Sequence, residues 1–154
     1  MLVVGLVAFF VFGQTIKWVG HTDIEVRIVV TDDNTGQPIP NATIHIRTES
    51  GGFCDDPPQQ NFAITTDENG HATELATSCM CFGSKGVLEG TFASHLPQWW
   101  IHATATGYSA SEPTYLNVSD NARQVQWGEP FATLSVSIRL REDAAEQTDE
   151  REPE

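Results

Sequence analysis

In the stretch Ile24-Glu25-Val26-Arg27-Ile28-Val29-Val30, the residues Ile24, Val26, Ile28 and Val30 fall on one face, with Glu25 and Arg27 on the other. A period of two marks a half-buried strand, because successive side chains of extended backbone point to opposite faces. Downstream, Asp33-Asn34-Thr35-Gly36 has the composition of a turn, and Pro38 and Pro40 keep the next segment extended while withholding ladder donors. A second strand places Ala42, Ile44 and Ile46 inward, alternating with Thr43, His45 and Arg47. Two short strands, Phe62 to Thr66 and Thr73 to Ala76, are joined through Asp67-Glu68-Asn69-Gly70, whose glycine suits a positive φ.

Beyond an irregular stretch from Thr77 to Gln98, strands are expected at Trp99 to Ala105, around Tyr115 to Val118, and at Leu134 to Leu140. Seven candidate strands at short spacing, with no long helical period outside the N-terminal head, predict an all-β, immunoglobulin-like sandwich of two sheets. The chain has 154 residues. Once its head and tail are set aside, roughly 120 remain, enough for one domain with one core.

The formal net charge is −13. Such a surface repels phosphate, so nucleic-acid binding is excluded as a function class. Residues 142–154 contribute −6 of that charge without any apolar residue larger than alanine, so an acidic disordered tail is expected. Met1 to Gly13 hold no charged residue, which suits the core of a signal peptide; counting Ile16, Trp18 and Val19, the same stretch reads as a short membrane anchor. Three parts follow: residues 1–20 as signal or anchor, 21–141 as the sandwich, and 142–154 as the tail. Export to the cell envelope or beyond is the expected localisation, with membrane contact only through the head.

Three segments carry a family resemblance. Val30-Thr31-Asp32 through Thr35-Gly36-Gln37-Pro38-Ile39-Pro40-Asn41-Ala42 resembles the opening of carboxypeptidase regulatory-like domains; Thr66-Asp67-Glu68-Asn69-Gly70 resembles their hairpin, and Ala105-Thr106-Gly107-Tyr108 their A-x-G-Y segment. The resemblance implies a prealbumin-like (transthyretin-like) sandwich over about residues 24–140. It also implies a non-catalytic accessory module.

A second resemblance concerns chemistry. Pro97-Gln98-Trp99-Trp100-Ile101-His102, followed by Gly107-Tyr108 and Thr114-Tyr115, is similar to the R-P-x-H-I-H…G-Y…Y region of intradiol ring-cleaving dioxygenases. That likeness implies the same sandwich and a ferric ion held by two His and two Tyr. His102 matches the second histidine, but Trp100 stands where the first belongs, Leu96 replaces the arginine, and no tyrosine precedes Pro97. One ligand of four does not hold iron, so the likeness is expected to report fold rather than catalysis.

Other constellations are assigned by their place on the sandwich. Cys54, Cys79, Cys81 and His95 gather at one pole. Cys54 with Cys79 or Cys81 would close a loop of about 26 residues, a disulfide stabilising by about 3.5 kcal/mol in the chain-entropy model. Zinc held by the three thiols and His95 is the weaker alternative, since C-x-C is a poor zinc spacing. At the opposite pole, Asp32, Asp33, Asp67 and Glu68 are candidate calcium ligands set against ordinary turn formation. Trp99, Trp100 and Trp127, with Tyr108 and Tyr115, could form a sugar-stacking platform, although adjacent Trp99 and Trp100 must face opposite ways.

The chain does not end its last strand in the Tyr-Arg-Gly-Ser of transthyretin-like hydrolases, and its lysines, Lys17 and Lys85, fall outside the expected strands, which excludes a strand-borne isopeptide. His45 and His71 read as surface residues, and Asn41-Ala42-Thr43 and Asn117-Val118-Ser119 as chance sequons. The sequence therefore predicts a non-enzymatic module that needs no cofactor and binds a protein or glycan at the cell envelope. A dioxygenase-like enzyme, active or degenerate, and a sugar-binding module are the alternatives.

Overall fold

Ile24, Val26, Ile28 and Val30 are completely buried, and they line the inner face of the longest strand in a computed structural model that describes residues 16–49, 52–55, 60–85, 90–116, 125–126 and 131–143. The strands are β1 (Ile16–Asp32), β2 (Thr43–Thr48), β3 (Asn61–Thr65), β4 (His71–Lys85), β5 (Gly90–Ser94), β6 (Trp99–Thr104), β7 (Thr114–Tyr115), β8 (Val125–Gln126) and β9 (Ala132–Leu140). They form two sheets, ordered β5-β4-β1-β9-β8 and β3-β2-β6-β7. The fold is the all-β sandwich that the alternating patterns predict.

The two inner faces meet in one core. Ile24, Val26, Ile28, Ala76, Leu134 and Leu140 come from the five-stranded sheet; Ile44, Ile46, Trp99, Ile101 and Ala103 come from the other. β9 runs parallel to β1, with Ile24 opposite Ala132 and Asp32 opposite Leu140. β2 lies between β3 and β6 and is antiparallel to both. Each buried Ile or Leu of this set contributes about 1.5–3 kcal/mol relative to its exposed state.

The described residues hold nine strands rather than the seven expected. The stretch from Thr77 to Gln98 is not irregular: β4 continues to Lys85 and pairs with β5. The pattern is hidden by a bulge. The ladder steps from Thr22↔Cys79 to Ile24↔Ala76, Ser78 takes φ 53°, and its N–H donates to the Asp23 carboxylate at 2.8 Å. One inserted residue swaps the faces of everything beyond it, so no single alternation spans the strand. β1 itself opens at Ile16 and takes in the end of the segment read as signal or anchor. Met1 to Gly13, Trp127, the second sequon and residues 144–154 lie outside the described residues. Among those described, no helix is long and apolar enough to cross a membrane.

Candidate functional site

The outer face of the four-stranded sheet is set by the residues that alternate with the core. β2 turns Thr43, His45 and Arg47 outward, and β6 does the same with Trp100, His102 and Thr104. Register then brings them together, because His45 stands opposite His102, Arg47 opposite Trp100 and Thr43 opposite Thr104. β3 adds Asn61 opposite Arg47, and β7 adds Tyr115 opposite Trp100. An open cleft of about 630 Å³ lies over this face, walled by His45, Arg47, Asn61, Trp100, His102 and Pro113 among others.

The side chains are tied to one another. The imidazoles of His45 and His102 stack with centroids 4.7 Å apart and planes 13° from parallel, and His45 Nε2 lies 3.3 Å from Thr104 Oγ1. Trp100 donates its indole N–H to Glu49 Oε1 at 2.8 Å, stacks on Tyr115 at 4.9 Å, and carries the Arg47 guanidinium 5.6 Å above its ring. Burial holds the His102 pKa below its ordinary 6.5, and the neighbouring His45 pushes the same way. His102 is therefore neutral at pH 7 and able to accept a proton. The face thus offers an aromatic wall, a guanidinium paired with the Glu49 carboxylate at 3.7 Å and a neutral imidazole, a set suited to a flat ring bearing hydroxyl groups.

The residues singled out from sequence divide sharply. Trp100 and His102 line the cleft, whereas Trp99 is 2% exposed and packs edge-on against Phe62 in the core. Of the two adjacent tryptophans, expected to face opposite ways, Trp99 is the core residue and Trp100, stacked on Tyr115, faces outward. Tyr108 does not join them; its hydroxyl hydrogen-bonds the Asp32 carboxylate, and burial with the charge of Asp32 and Glu142 raises its pKa. Cys54 and Cys79 form a disulfide and Cys81 is a buried free thiol, its pKa raised by that burial. With two of its thiols joined, the zinc alternative is removed.

The calcium candidates serve turns. Asp32 Oδ1 accepts from the N–H groups of Thr35 (2.6 Å) and Asn34 (2.9 Å) and from the Thr35 hydroxyl, and these bonds lower its pKa against the opposing effect of burial. Asp67 Oδ1 likewise accepts from the N–H groups of His71 and Asn69, which lower its pKa. Asp33 pairs with Arg141, and Glu68 stands exposed at the hairpin tip. Among the described residues, no group of three or more His, Cys, Asp or Glu could hold a metal ion.

Sequence reasoning missed His45, Arg47 and Asn61. Alternation already turned His45 and Arg47 outward, but only the β2–β6 register shows that they meet His102 and Trp100, and register between distant strands has no local signal.

No protein-family model matches the chain, and no curated protein matches it in sequence. Solved structures do match in fold. Catechol 1,2-dioxygenase from Acinetobacter sp. ADP1, inhibited by bound mercury, is 19% identical with a TM-score of 0.53, covering 81% of this chain and 54% of that one. Hydroxyquinol 1,2-dioxygenase from Pseudomonas putida is 14% identical with a TM-score of 0.53, covering 79% and 57%. 3-Chlorocatechol 1,2-dioxygenase from Rhodococcus opacus is 15% identical with a TM-score of 0.52, covering 79% and 60%. The likeness is one of fold, and the chain spans a little over half the length of these neighbours.

These neighbours support the second of the two resemblances drawn from the sequence and do not show the first, to carboxypeptidase regulatory-like domains. They also correct two expectations: the non-catalytic envelope module for protein or glycan interaction, and the absence of enzymatic character. The proteins that share this sandwich here are enzymes. The sequence expectation went astray because motifs such as Thr35-Gly36-Gln37-Pro38 report the turn chemistry of a sandwich, which accessory modules and enzymes have in common.

The ferric site implied by the dioxygenase resemblance is not assembled by these residues. Imidazole lone pairs lie in the ring plane, so the near-parallel rings of His45 and His102 aim side by side and do not converge on one ion. The indole at Trp100 is a donor only and is engaged by Glu49, and Tyr108 is engaged by Asp32.

Proposed function

We propose that the chain is a degenerate intradiol dioxygenase-like enzyme domain. Its site is the cleft on the outer face of the β3-β2-β6-β7 sheet, where a small phenolic ring of the catechol class stacks against Trp100 and gives up a hydroxyl proton to His102. One observation carries this reading: Trp100 and His102, from the segment that resembles the metal-bearing segment of the dioxygenases, form the wall of that cleft. The fold of catechol, hydroxyquinol and chlorocatechol dioxygenases supports the substrate class.

Arg47 acts as the cation that favours the phenolate form of such a ring, and neutral His102 as the proton acceptor. Ring cleavage of the dioxygenase kind draws on ferric iron, and this ligand set does not provide for it, so binding and deprotonation are the steps assigned to the chain's own residues. The test is titration of catechol and hydroxyquinol into the full chain, followed by tryptophan fluorescence and by calorimetry, alongside elemental analysis for iron. Saturable binding that weakens at least tenfold in His102→Leu is expected, without stoichiometric iron. If neither diol binds, the proposal fails; stoichiometric iron with ring cleavage would instead make the chain an active dioxygenase.

A further inference from the structure

A second surface lies away from the cleft, where β1 and β4 run past the bulge and β5 joins them. Its strands are Ile16 to Thr22, Cys79 to Lys85 and Gly90 to Ser94, paired as a three-stranded ribbon. Val19 is 72% exposed, and its cross-strand partner Phe82 is 45% exposed; Phe53 is also exposed, its ring stacked on His95 beside Phe82, and Ile16 is exposed at the ribbon's end on the opposite face. On the other face of the ribbon Trp18 stacks with Phe92 and lies across Gly83, where a Cβ would come within 2.7 Å of the indole.

The charges of this ribbon run against the rest of the molecule. The chain carries 21 acidic residues, yet none falls in these three strand segments. Its two lysines, Lys17 and Lys85, are both here, exposed at the ladder pairs Lys17↔Ser84 and Ile16↔Lys85. Gln14 and Thr15 join Ile16 to the segment Met1 to Gly13, which has no charged residue.

We infer that the tip of this ribbon is a bilayer-docking surface: Val19 and Phe82 on one face and Ile16 on the other enter the interfacial zone of an anionic membrane, Trp18 sits at headgroup depth, and Lys17 and Lys85, one on each face, engage lipid phosphate. Exposed aliphatic and aromatic side chains flanked by lysine match the composition of that zone, and two cations at one pole of an acidic protein orient it on a negative surface. The adjoining apolar segment brings the ribbon to the membrane, so the folded domain contacts lipid in addition to its head. The inference does not depend on the cleft.

The experiment uses the full chain with an environment-sensitive fluorophore on Val19→Cys, on Phe82→Cys, or on Asn69→Cys as control. Asn69 precedes the far end of β4, about 45 Å from Lys85 along an extended strand. Cys81 is 2% exposed and does not take the label under native conditions. With mixed phosphatidylcholine and phosphatidylglycerol vesicles, labels at positions 19 and 82 shift to the blue and are quenched by brominated lipid, while the label at 69 stays in water. Lys17→Gln with Lys85→Gln raises the lipid concentration for half-maximal shift by roughly thirtyfold. The proposal is overturned if the labels at 19 and 82 behave like the one at 69 while the chain co-sediments with vesicles. It is equally overturned if they are already shifted without lipid, which would mean that the head or a second copy covers the ribbon.

Discussion

His45 and His102 face each other across the β2–β6 ladder with their rings stacked 4.7 Å apart, so a proton on one is felt by the other. His102 is the half of the pair whose pKa is lowered, first by burial and then by His45. In His45→Phe the stacking surface remains while the second charge is removed. The His102 pKa, followed by NMR titration of the ring protons, is expected to rise toward 6.5 without reaching it, because burial persists.

The same shift has a sign for stability. A histidine whose folded pKa lies below its unfolded value binds fewer protons when folded, so stability is complete above pH 6.5 and falls as the pH drops through that value toward the folded pKa. Thermal melts from pH 8 to pH 5 should therefore decline for the parent chain, and decline less for His102→Gln. A flat parent profile over that window would remove the electrostatic account of the stack.

The fold was legible because alternation is a local property. Ile24 to Val30 and Leu134 to Leu140 display their inner faces without any knowledge of partners. The site was legible only in halves. Trp100 and His102 came forward from their own segment, but His45 and Arg47 become functional neighbours through a register linking residues more than fifty positions apart. β4 was lost beyond Ala76 because the bulge at Ser78 breaks the period, and Cys, Gly and Ser leave few apolar residues by which to resume it. The non-catalytic reading arose at the same level, since turn motifs and missing ligands are local facts and likeness of fold is not.

Reduction should expose how far the sandwich depends on its crosslink. Cys54 and Cys79 are separated by 25 positions, and a loop of that size corresponds to about 3.5 kcal/mol in the chain-entropy model. Cys54→Ala with Cys79→Ala is expected to lower Tm by roughly 10 °C in a calorimetric scan, and a reducing agent should do the same to the parent chain. A change below about 2 °C would show that the unfolded chain is already constrained at this pole.

Gly70 closes the β3–β4 hairpin with φ 72°, accepts a hydrogen bond from Val30 N–H at 2.9 Å, and sits so close to β1 that a Cβ added to it would lie only 2.7 Å from Val30 O. Gly70→Ala therefore meets both a strained backbone and a backbone oxygen that cannot yield without moving β1. A loss of about 2 kcal/mol or more in denaturant unfolding is expected, whereas Gly107→Ala, at φ 82° with open space around it, should lose only the backbone part, about 1 kcal/mol.

Adjacent tryptophans on β6 should respond in opposite senses. Trp99 fills the core and its indole N–H finds no hydrogen-bond partner among the described residues, a burden of about 1–3 kcal/mol that Trp99→Phe relieves while giving up part of the ring's packing. Trp99→Phe is thus expected to change stability by less than about 1.5 kcal/mol, and Trp99→Ala to cost about 3–5 kcal/mol through the cavity it leaves. Trp100 holds its indole N–H on Glu49 and its ring on Tyr115 at the rim of the cleft. Trp100→Ala should cost no more than about 2 kcal/mol of stability but weaken catechol binding about tenfold, the loss of one stacked aromatic wall. Parallel urea unfolding and calorimetric titration of both variants separate core from site: a Trp100→Ala chain that unfolds easily yet binds catechol undiminished would move the ligand away from this face.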